Sequence, residues 1–419
     1  MARSEIVVGL DVGTTKVCAL VGEILGGRLE FLGHGVAPCS GVRKGRVVDL
    51  SATTAAIRAA VARVSHAAGV EIGAVILSVT GDHLAGENRQ GVVIVGGGEV
   101  TEAHVRTARL DARPVGAPDR VVLHNRPRHY RVDGQPGIRH PLGMTARELA
   151  VETHLVTASA PILENLVRCV HRADLDVQEM VVSGLAAAYA TLSETEWAVG
   201  TLVADIGGGT TDVVVCTEGS LFHTASLPVG GDHVTNDLSV GLRIPRADAE
   251  ALKLRHGTAR IGDAKDGEFV AIRAVGDPEP REVPHRIVAE IIEPRVRELL
   301  ELVRAEMDSA TENRVLVAKS AVLTGGGALL EGTMPLAREI LGLPVRLGVP
   351  RSSRICQNQR SASLERPYYS VGVGLLLHAL LRRGRPEGAP GPAVLTNGAS
   401  PIAAAWERLV GWVQKRMAP

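Results

Sequence analysis

The sequence predicts an α/β protein in two halves, each opening on the same kind of glycine-rich hairpin. Two stretches carry that expectation. Gly9-Leu10-Asp11-Val12-Gly13-Thr14-Thr15-Lys16 lies near the start, and Asp205-Ile206-Gly207-Gly208-Gly209-Thr210-Thr211-Asp212 lies in mid-chain. Each follows a β-branched apolar run and precedes another, Val17 to Val21 and Val213 to Val215. Each therefore reads as strand, tight Gly/Thr turn, strand. Strands and helical periodicities mix along the rest of the chain, as in α/β domains. At 419 residues the chain exceeds one small core, so two to four packed units are expected.

Ile6 to Leu25 reads as the first hairpin, Phe31 to Val36 as a third strand, and Ser51 to Gly69 as an Ala-rich helix with Ser51 as N-cap. Val75 to Thr80 is a buried strand. The texture then changes. Val92 to Val95 is a glycine-interrupted strand, Thr101 to Leu110 a helix and Val121 to Asn125 a strand. Arg126 to Arg139 is turn-rich and basic, and Leu149 to Ala158 is a closing strand. Together they form a small α+β insertion. Its Arg126, Arg128, His129, Arg131, Arg139 and His140 read as a solvated basic loop, with a partner surface as the alternative. Helices at Pro161 to Ala173 and Gly184 to Leu192 return to the first unit.

In the second half, Leu238 to His256 and Ile287 to Asp308 look helical, with short strand and loop between Gly257 and Pro284. Ser320 to Thr324 is a strand running into Gly325-Gly326-Gly327-Ala328, and Val371 to Leu381 is an apolar helix. Pro161, Pro228 and Pro294 are expected at boundaries or first helical positions. Arg382 to Ser400 carries three Pro and four Gly without periodicity. It reads as a disordered tether, spanning roughly 20–25 Å as a random coil.

The bulk composition narrows the function classes. Formal net charge is zero, which points away from nucleic acid. No signal peptide and no apolar run long enough for a bilayer are expected. The five cysteines are scattered without metal or redox spacing and suit a reducing cytoplasm. Aromatic residues are only 2%, yet two of the three Trp, Trp406 and Trp412, fall in the last fourteen residues.

The paired hairpins suggest a clamp on the β- and γ-phosphates of one nucleotide. Backbone N–H groups of Gly13, Gly207, Gly208 and Gly209 suit a dense anion, because glycine lets the chain approach closely. Thr14, Thr15, Thr210 and Thr211 add hydroxyl donors, and Lys16 adds a point charge. Asp11 and Asp205 would repel phosphate, so their sensible task is to hold Mg²⁺, mostly through its waters. Gly325, Gly326 and Gly327 would let an adenosine pass close to the backbone. Gly230 and Gly231 open a helix whose amides would face an anion. Glu250 and Lys253 lie one helical turn apart, either flanking a base or ribose or forming a solvated ion pair.

At the C-terminus, Ile402, Trp406, Leu409, Val413 and Met417 recur at helical spacing, and Trp412 widens the stripe. Arg408, Lys415 and Arg416 lie largely off it, and Ser400-Pro401 supplies a cap. One reading is a helix packed on a domain. The other, favoured by the tether, is a helix lying in a membrane interface, with Trp at the boundary and basic residues toward anionic lipid. One such helix binds reversibly, whereas many on one polymer bind strongly.

These motifs resemble those of the actin/Hsp70/sugar-kinase ATPase superfamily: Asp11 to Lys16 as phosphate motif one, Asp205 to Thr211 as phosphate motif two, Thr324 to Ala328 as the adenosine motif. Within it the chain resembles the FtsA family of bacterial cell-division proteins over nearly its whole length. Val42-Arg43-Lys44-Gly45, Ser183-Gly184-Leu185-Ala186-Ala187, Asp248 to Lys253 with His256-Gly257, Glu293-Pro294-Arg295 and Pro367-Tyr368-Tyr369-Ser370 carry that likeness.

The resemblance implies an actin-like two-lobed ATPase fold with a 1C insertion in place of actin's 1B. Subdomain 1A would comprise residues 1–83, 161–197 and 360–381, and 1C residues 84–160. Subdomain 2A would comprise 198–228 and 306–359, and 2B residues 229–305. A linker at 382–400 and an amphipathic membrane helix at 401–417 would follow. It further implies MgATP binding, polymerisation on the cytoplasmic face of the inner membrane at the division septum, and tethering of FtsZ there. The FtsZ C-terminal peptide would dock on 2B, where Arg281 and Arg295 are candidates to meet it, with an internal ion pair as the alternative reading. Later divisome proteins are further partners. Hydrolytic relatives carry an acidic residue where Ser183-Gly184 stands, so slow hydrolysis at most is expected. A pilus-assembly protein of the PilM type and a sugar or acetate kinase are the competing expectations.

Overall fold

The computed structural model describes residues 4–113, 119–274, 276, 279–312, 315–351, 355–356 and 359–383. The first half runs β1 (Glu5–Val12), β2 (Lys16–Leu25), β3 (Arg28–Pro38), the short pair β4 (Val42–Arg43) and β5 (Arg46–Val47), α1 (Leu50–Ala68) and β6 (Ala74–Val79). An inserted unit follows: β7 (Ala85–Glu99), α2 (Glu102–Asp111), β8 (Arg120–Val132), β9 (Gln135–Ile138) and β10 (Thr145–Ser159). The chain returns through α3 (Ala160–His171), β11 (Asp176–Val182), α4 (Ser183–Thr191) and α5 (Glu194–Val199).

The second half begins β12 (Thr201–Ile206), β13 (Thr211–Thr217), β14 (Ser220–Leu227), α6 (Gly231–Leu242) and α7 (Arg246–His256). It continues β15 (Phe269–Ile272), β16 (Arg281–Pro284), α8 (His285–Ser309), β17 (Thr311–Glu312), β18 (Val315–Leu316) and β19 (Ser320–Thr324). The last elements are α9 (Thr333–Leu341), β20 (Val345–Leu347), α10 (Gln359–Ala362) and α11 (Ser370–Arg383).

Two five-stranded sheets organise the halves, with orders β3-β2-β1-β6-β11 and β14-β13-β12-β19-β20. In both, three antiparallel strands are followed by two added in parallel. The central strands are buried on both faces and read as unbroken apolar runs. One buried cluster is centred on the first half and extends to Val203, Val214, Cys216, Leu221 and Val322 of the second, another lies within the second half, and the insertion has a third around Tyr130, Leu149 and Val151. The helix α11 packs on α4 at very short range: a Cβ on Gly374 would fall 1.8 Å from Ala186 O.

Several sequence expectations change. The cap of α1 is Asp49, whose carboxylate accepts from Ala52 N at 2.9 Å; Ser51 lies inside the helix. Leu238 to His256 is two helices, because Arg243 turns left-handed (φ 56°) and Pro245 has no N–H to continue the ladder. Pro294 sits inside α8 and not at a boundary; the buried stripe Val288, Ile292, Val296, Leu299 and Val303 runs across it. That burial outweighs the roughly 3 kcal/mol an interior proline costs.

The largest change concerns the basic segment. Residues 126–132 continue β8, and the turn is confined to Asp133-Gly134 before β9. Arg126 and Arg128 are not solvated: they are 4% and 7% exposed. They lie where the insertion docks on the second half. There the Asn88 amide donates to Phe222 O at 3.2 Å, His154 Nε2 meets Thr224 Oγ1 at 3.0 Å, and the Arg128 guanidinium covers the Phe222 ring at 4.2 Å. Glu152 pairs with both Arg128 and His129. Burial holds His154 neutral, lowering its pKa to about 3.

Candidate functional site

The two Gly/Thr hairpins close identically. Gly13 N donates to Lys16 O, and Gly207 N to Thr210 O, both at 2.9 Å. Strand register sets Asp11 opposite Cys18 and Asp205 opposite Asp212. The two turns then meet face to face. A Cβ on Gly208 would lie 2.6 Å from Thr15 Cγ2, and one on Gly209 2.5 Å from Thr14 Oγ1. Only glycine permits that approach.

Above this contact opens a cleft of about 550 Å³. Of the residues expected at a nucleotide, Asp11, Gly13, Thr14, Thr15, Lys16, Asp205, Gly207, Gly208, Gly231, Glu250, Lys253, Gly325, Gly326 and Gly327 line it. Gly209, Thr210, Thr211 and Gly230 are not in its lining. The Thr211 hydroxyl donates to Val229 O at 2.8 Å, and the Thr210 hydroxyl meets Thr80 Oγ1 at 3.1 Å. Thr211 begins β13 and Thr210 immediately precedes it, and both hydroxyls meet partners outside the cleft lining. The first amides of α6 are also engaged: Gly231 N bonds Gly207 O at 2.9 Å and Asp232 N bonds Gly208 O at 2.8 Å. They brace the second turn instead of facing an anion. Gly325, at φ +83°, brings the third glycine turn against the second hairpin; a Cβ there would lie 2.4 Å from Asp205 Oδ1.

Glu250 and Lys253 form an ion pair at 2.7 Å whose acid is 41% exposed and whose ammonium is largely buried. Lys253 also donates to Gly231 O and Thr235 Oγ1, and its side chain is 12% exposed. Aliphatic residues, Val234, Leu254, Val296, Leu299, Leu329 and Leu330, also line the cleft. A lining that combines charged and hydroxyl groups with aliphatic ones suits a phosphorylated ligand with a planar base.

The carboxylates are poorly compensated. Burial raises Asp205 well above the ordinary carboxylate range, and Asp212 and Asp11 add repulsion. Burial raises Asp11 too, against the Ser78 hydroxyl and Lys16. Asp212 is pushed up to about 6 by burial, despite hydrogen bonds from Ser226 and Thr80. Among the described residues no group of three or more His, Cys, Asp or Glu side chains could ligate a metal directly. The donor set beside the turns is nevertheless all oxygen, and burial and mutual repulsion of its acids outweigh the charge of Lys16. It therefore fits a hard divalent cation such as Mg²⁺ held through water.

Sequence reasoning gave no role to Asp212, Thr80, Ser226 or Tyr368. The Thr80 hydroxyl donates to the Asp212 carboxylate at 2.7–2.8 Å, and Ser226 Oγ accepts from Gly81 N at 3.0 Å, tying the first half to the second. Asp212 was visible as the mirror of Asp205, seven positions on across the hairpin. The others come from segments far apart in sequence. Ser183 and Gly184 begin α4 near this network, with Gly184 against Asp212 Cβ, and no carboxylate stands there. Arg281 and Arg295 lie outside the cleft lining. Arg281 donates to Leu242 O at 3.1 Å, and Arg295 is paired with Asp237 and Glu298. Hydrogen bonding to Asp237 raises the Arg295 pKa, so its charge is already shared.

Comparison with known proteins agrees with this geometry. The sequence model described as "Cell division protein FtsA" matches residues 202–374, and that of the "SHS2 domain inserted in FTSA" matches 81–157. A "Cell division protein FtsA" of Pseudomonas aeruginosa is 39% identical over 418 residues, covering 98% of both chains. The chain belongs to the FtsA family. Another FtsA, from Escherichia coli K12, is 35% identical over 420 residues, again covering 98% of both. Among solved structures, a chain of the PilM-PilN type IV pilus biogenesis complex superposes with a TM-score of 0.65 at 17% identity, covering 89% of this chain and 98% of that one. MreB5 of Spiroplasma citri bound to ADP gives 0.52 at 16%, covering 88% and 94%. These two likenesses establish the actin-like fold for this FtsA-family chain. No helix among the described residues is long and apolar enough to cross a membrane.

Proposed function

We propose that this cell-division protein binds MgATP between its halves, polymerises on the inner face of the cytoplasmic membrane and tethers FtsZ there. The observation that carries the nucleotide reading is the meeting of two matched glycine turns beneath Asp11 and Asp205. Gly13 N and Gly207 N are engaged in closing the hairpins, so in this reading the other amides of the two turns, such as those of Thr14, Thr15 and Gly208, hold the β- and γ-phosphates. Thr14 and Thr15 donate hydroxyls, and Lys16 adds charge. The adenosine lies along Gly325–Gly327, between the Glu250–Lys253 pair and the aliphatic residues of the lining. A bound Mg²⁺ would neutralise phosphate and carboxylate charge together, through waters oriented by Asp11 and Asp205. With serine and glycine at 183–184, no carboxylate orients an attacking water, so turnover is slow and ATP acts chiefly as a ligand.

The subdomain limits proposed from the sequence remain part of this reading, with 1C contributing to the filament contact. Arg281 and Arg295 on 2B are the proposed contacts for the acidic FtsZ tail, Arg295 by exchanging Asp237 or Glu298 for a partner carboxylate. Arg382 and Arg383, expected to open the linker, instead end α11, with Arg382 paired to Glu179 at 2.8 Å; the rest of the linker, 384–400, and the membrane helix, with Ile402, Trp406, Arg408, Leu409, Trp412, Val413, Lys415 and Arg416, lie outside the described residues.

Replacing both terminal tryptophans, Trp406→Glu with Trp412→Glu, is expected to abolish co-sedimentation with anionic liposomes while MgATP binding stays intact. Retained sedimentation would reject the anchor. Capture by a synthetic FtsZ tail should fall with Arg281→Ala and Arg295→Ala, and unchanged capture would move that site elsewhere.

A further inference from the structure

Lys16 and Tyr368 are 352 positions apart, yet Lys16 Nζ donates to Tyr368 O at 2.8 Å. The same ammonium lies 4.6 Å from the Tyr368 ring centroid and 5.4 Å from that of Tyr369. Both Lys16 and Tyr368 line the cleft, and Tyr368 is 37% exposed. Tyr368 belongs to a single 3-10 turn, Pro367–Tyr369, that leads directly into α11. A second clasp holds the same turn. Thr324, the residue before Gly325, bonds Ser370 Oγ at 2.7 Å and Pro367 O at 3.3 Å.

We propose that Tyr368 is a positioning residue: its ring and carbonyl hold the Lys16 ammonium at the root of α11, and a bound triphosphate competes for that ammonium and draws it away. The inference rests on the MgATP reading of the cleft. An ammonium has three donors and prefers a phosphate oxygen to a neutral carbonyl. The parked state and the phosphate therefore compete for one charge, and any group that stabilises parking weakens nucleotide binding. The Tyr368 ring is such a group, since a cation over an aromatic face is attracted to it. When Lys16 leaves, one of the two clasps on the root of α11 is lost while the Thr324 clasp remains. Nucleotide occupancy thereby loosens the start of the helix that ends at Arg383.

The test uses the full chain and calorimetric titration with MgATP. Tyr368→Leu should bind ATP roughly 2- to 5-fold more tightly than wild type, and Tyr368→Phe, which keeps the ring, should match wild type. A ring that touched the nucleotide would give the opposite sign, so equal or weaker binding by the leucine variant overturns the proposal. In the unsubstituted protein, amides of residues 368–373 should exchange with deuterium faster with MgATP than without; slower or unchanged exchange overturns it equally. If the unsubstituted protein takes up no MgATP, the cleft reading itself fails. If it does and the leucine variant shows no gain, only the parking of Lys16 fails.

Discussion

The first and second halves share one backbone plan and differ in charge. Both sheets have the same strand order, and both hairpins close with the same 2.9 Å bond. Where the first hairpin carries Lys16 and Cys18, the second carries Thr210 and Asp212. Asp11 has Ser78 and Lys16 to moderate it, whereas Asp205 faces two other carboxylates against Lys16. A repeated scaffold thus keeps its geometry while its electrostatics diverge. The first hairpin brings Lys16 and one acid to the site, and the second brings the two acids Asp205 and Asp212.

The largest expected break in that comparison comes from the acids. Asp205→Ala should remove Mg²⁺-dependent ATP binding, a loss of roughly 10- to 100-fold or more in calorimetry, and Asp11→Ala should cost less. Asp205→Ala should also raise the melting temperature of the nucleotide-free protein, since it deletes a repelled, buried charge. Equal losses from both variants, or a lower melting point for Asp205→Ala, would mean the halves are electrically alike.

The turns sharpen the same contrast. Gly209→Ala forces a methyl to within 2.5 Å of Thr14 Oγ1, whereas Gly13→Ala meets only Lys16 O at 3.0 Å. The first should cost about 1–3 kcal/mol in denaturant unfolding and the second less. The reverse order would mean that the turns do not press together as described.

The smallest effect concerns an acid of the first sheet that is well paired. Burial alone would raise Glu179, but His378 and Arg382 outweigh it and hold it far below the ordinary range. A depressed carboxylate stabilises the fold above its unfolded pKa, near 4.5, and that contribution is lost as the pH falls below it. Asp212 has the opposite sign. Raised from 3.8 to about 6, it binds its proton more readily folded than unfolded, so stability falls as pH rises across that window. Glu179→Gln should cost about 1–2 kcal/mol at neutral pH and flatten the loss of stability below pH 4.5. A variant with an unaltered acid limb would place that limb on other groups.

Much of the fold was legible because its signals are local. Alternation, glycine turns and Pro161 in the first turn of α3 each report on neighbouring residues. The two Gly/Thr turns and the Gly325 turn were readable for the same reason. Legibility failed where distant segments decide the outcome. Arg126 and Arg128 look like loop residues until β14 covers them, and Pro294 looks like a boundary until the stripe of α8 is seen to continue through it. Thr210 and Thr211 belong to a phosphate motif by sequence, yet their hydroxyls meet Thr80 and Val229. Tyr368 lies in a stretch that carries the family likeness, but its place beside Lys16 follows only from the return of the chain.

The seating of Gly374 on Ala186 O restricts how the last helix can respond to such events. With almost no gap between the two backbones, spinning α11 about its axis would swing a neighbouring side chain into the carbonyl ridge of α4. Axial sliding, or tilting together with α4, is what remains. The joint behaves as a keyed shaft, so a disturbance at the cleft end emerges at Arg383 as displacement rather than twist.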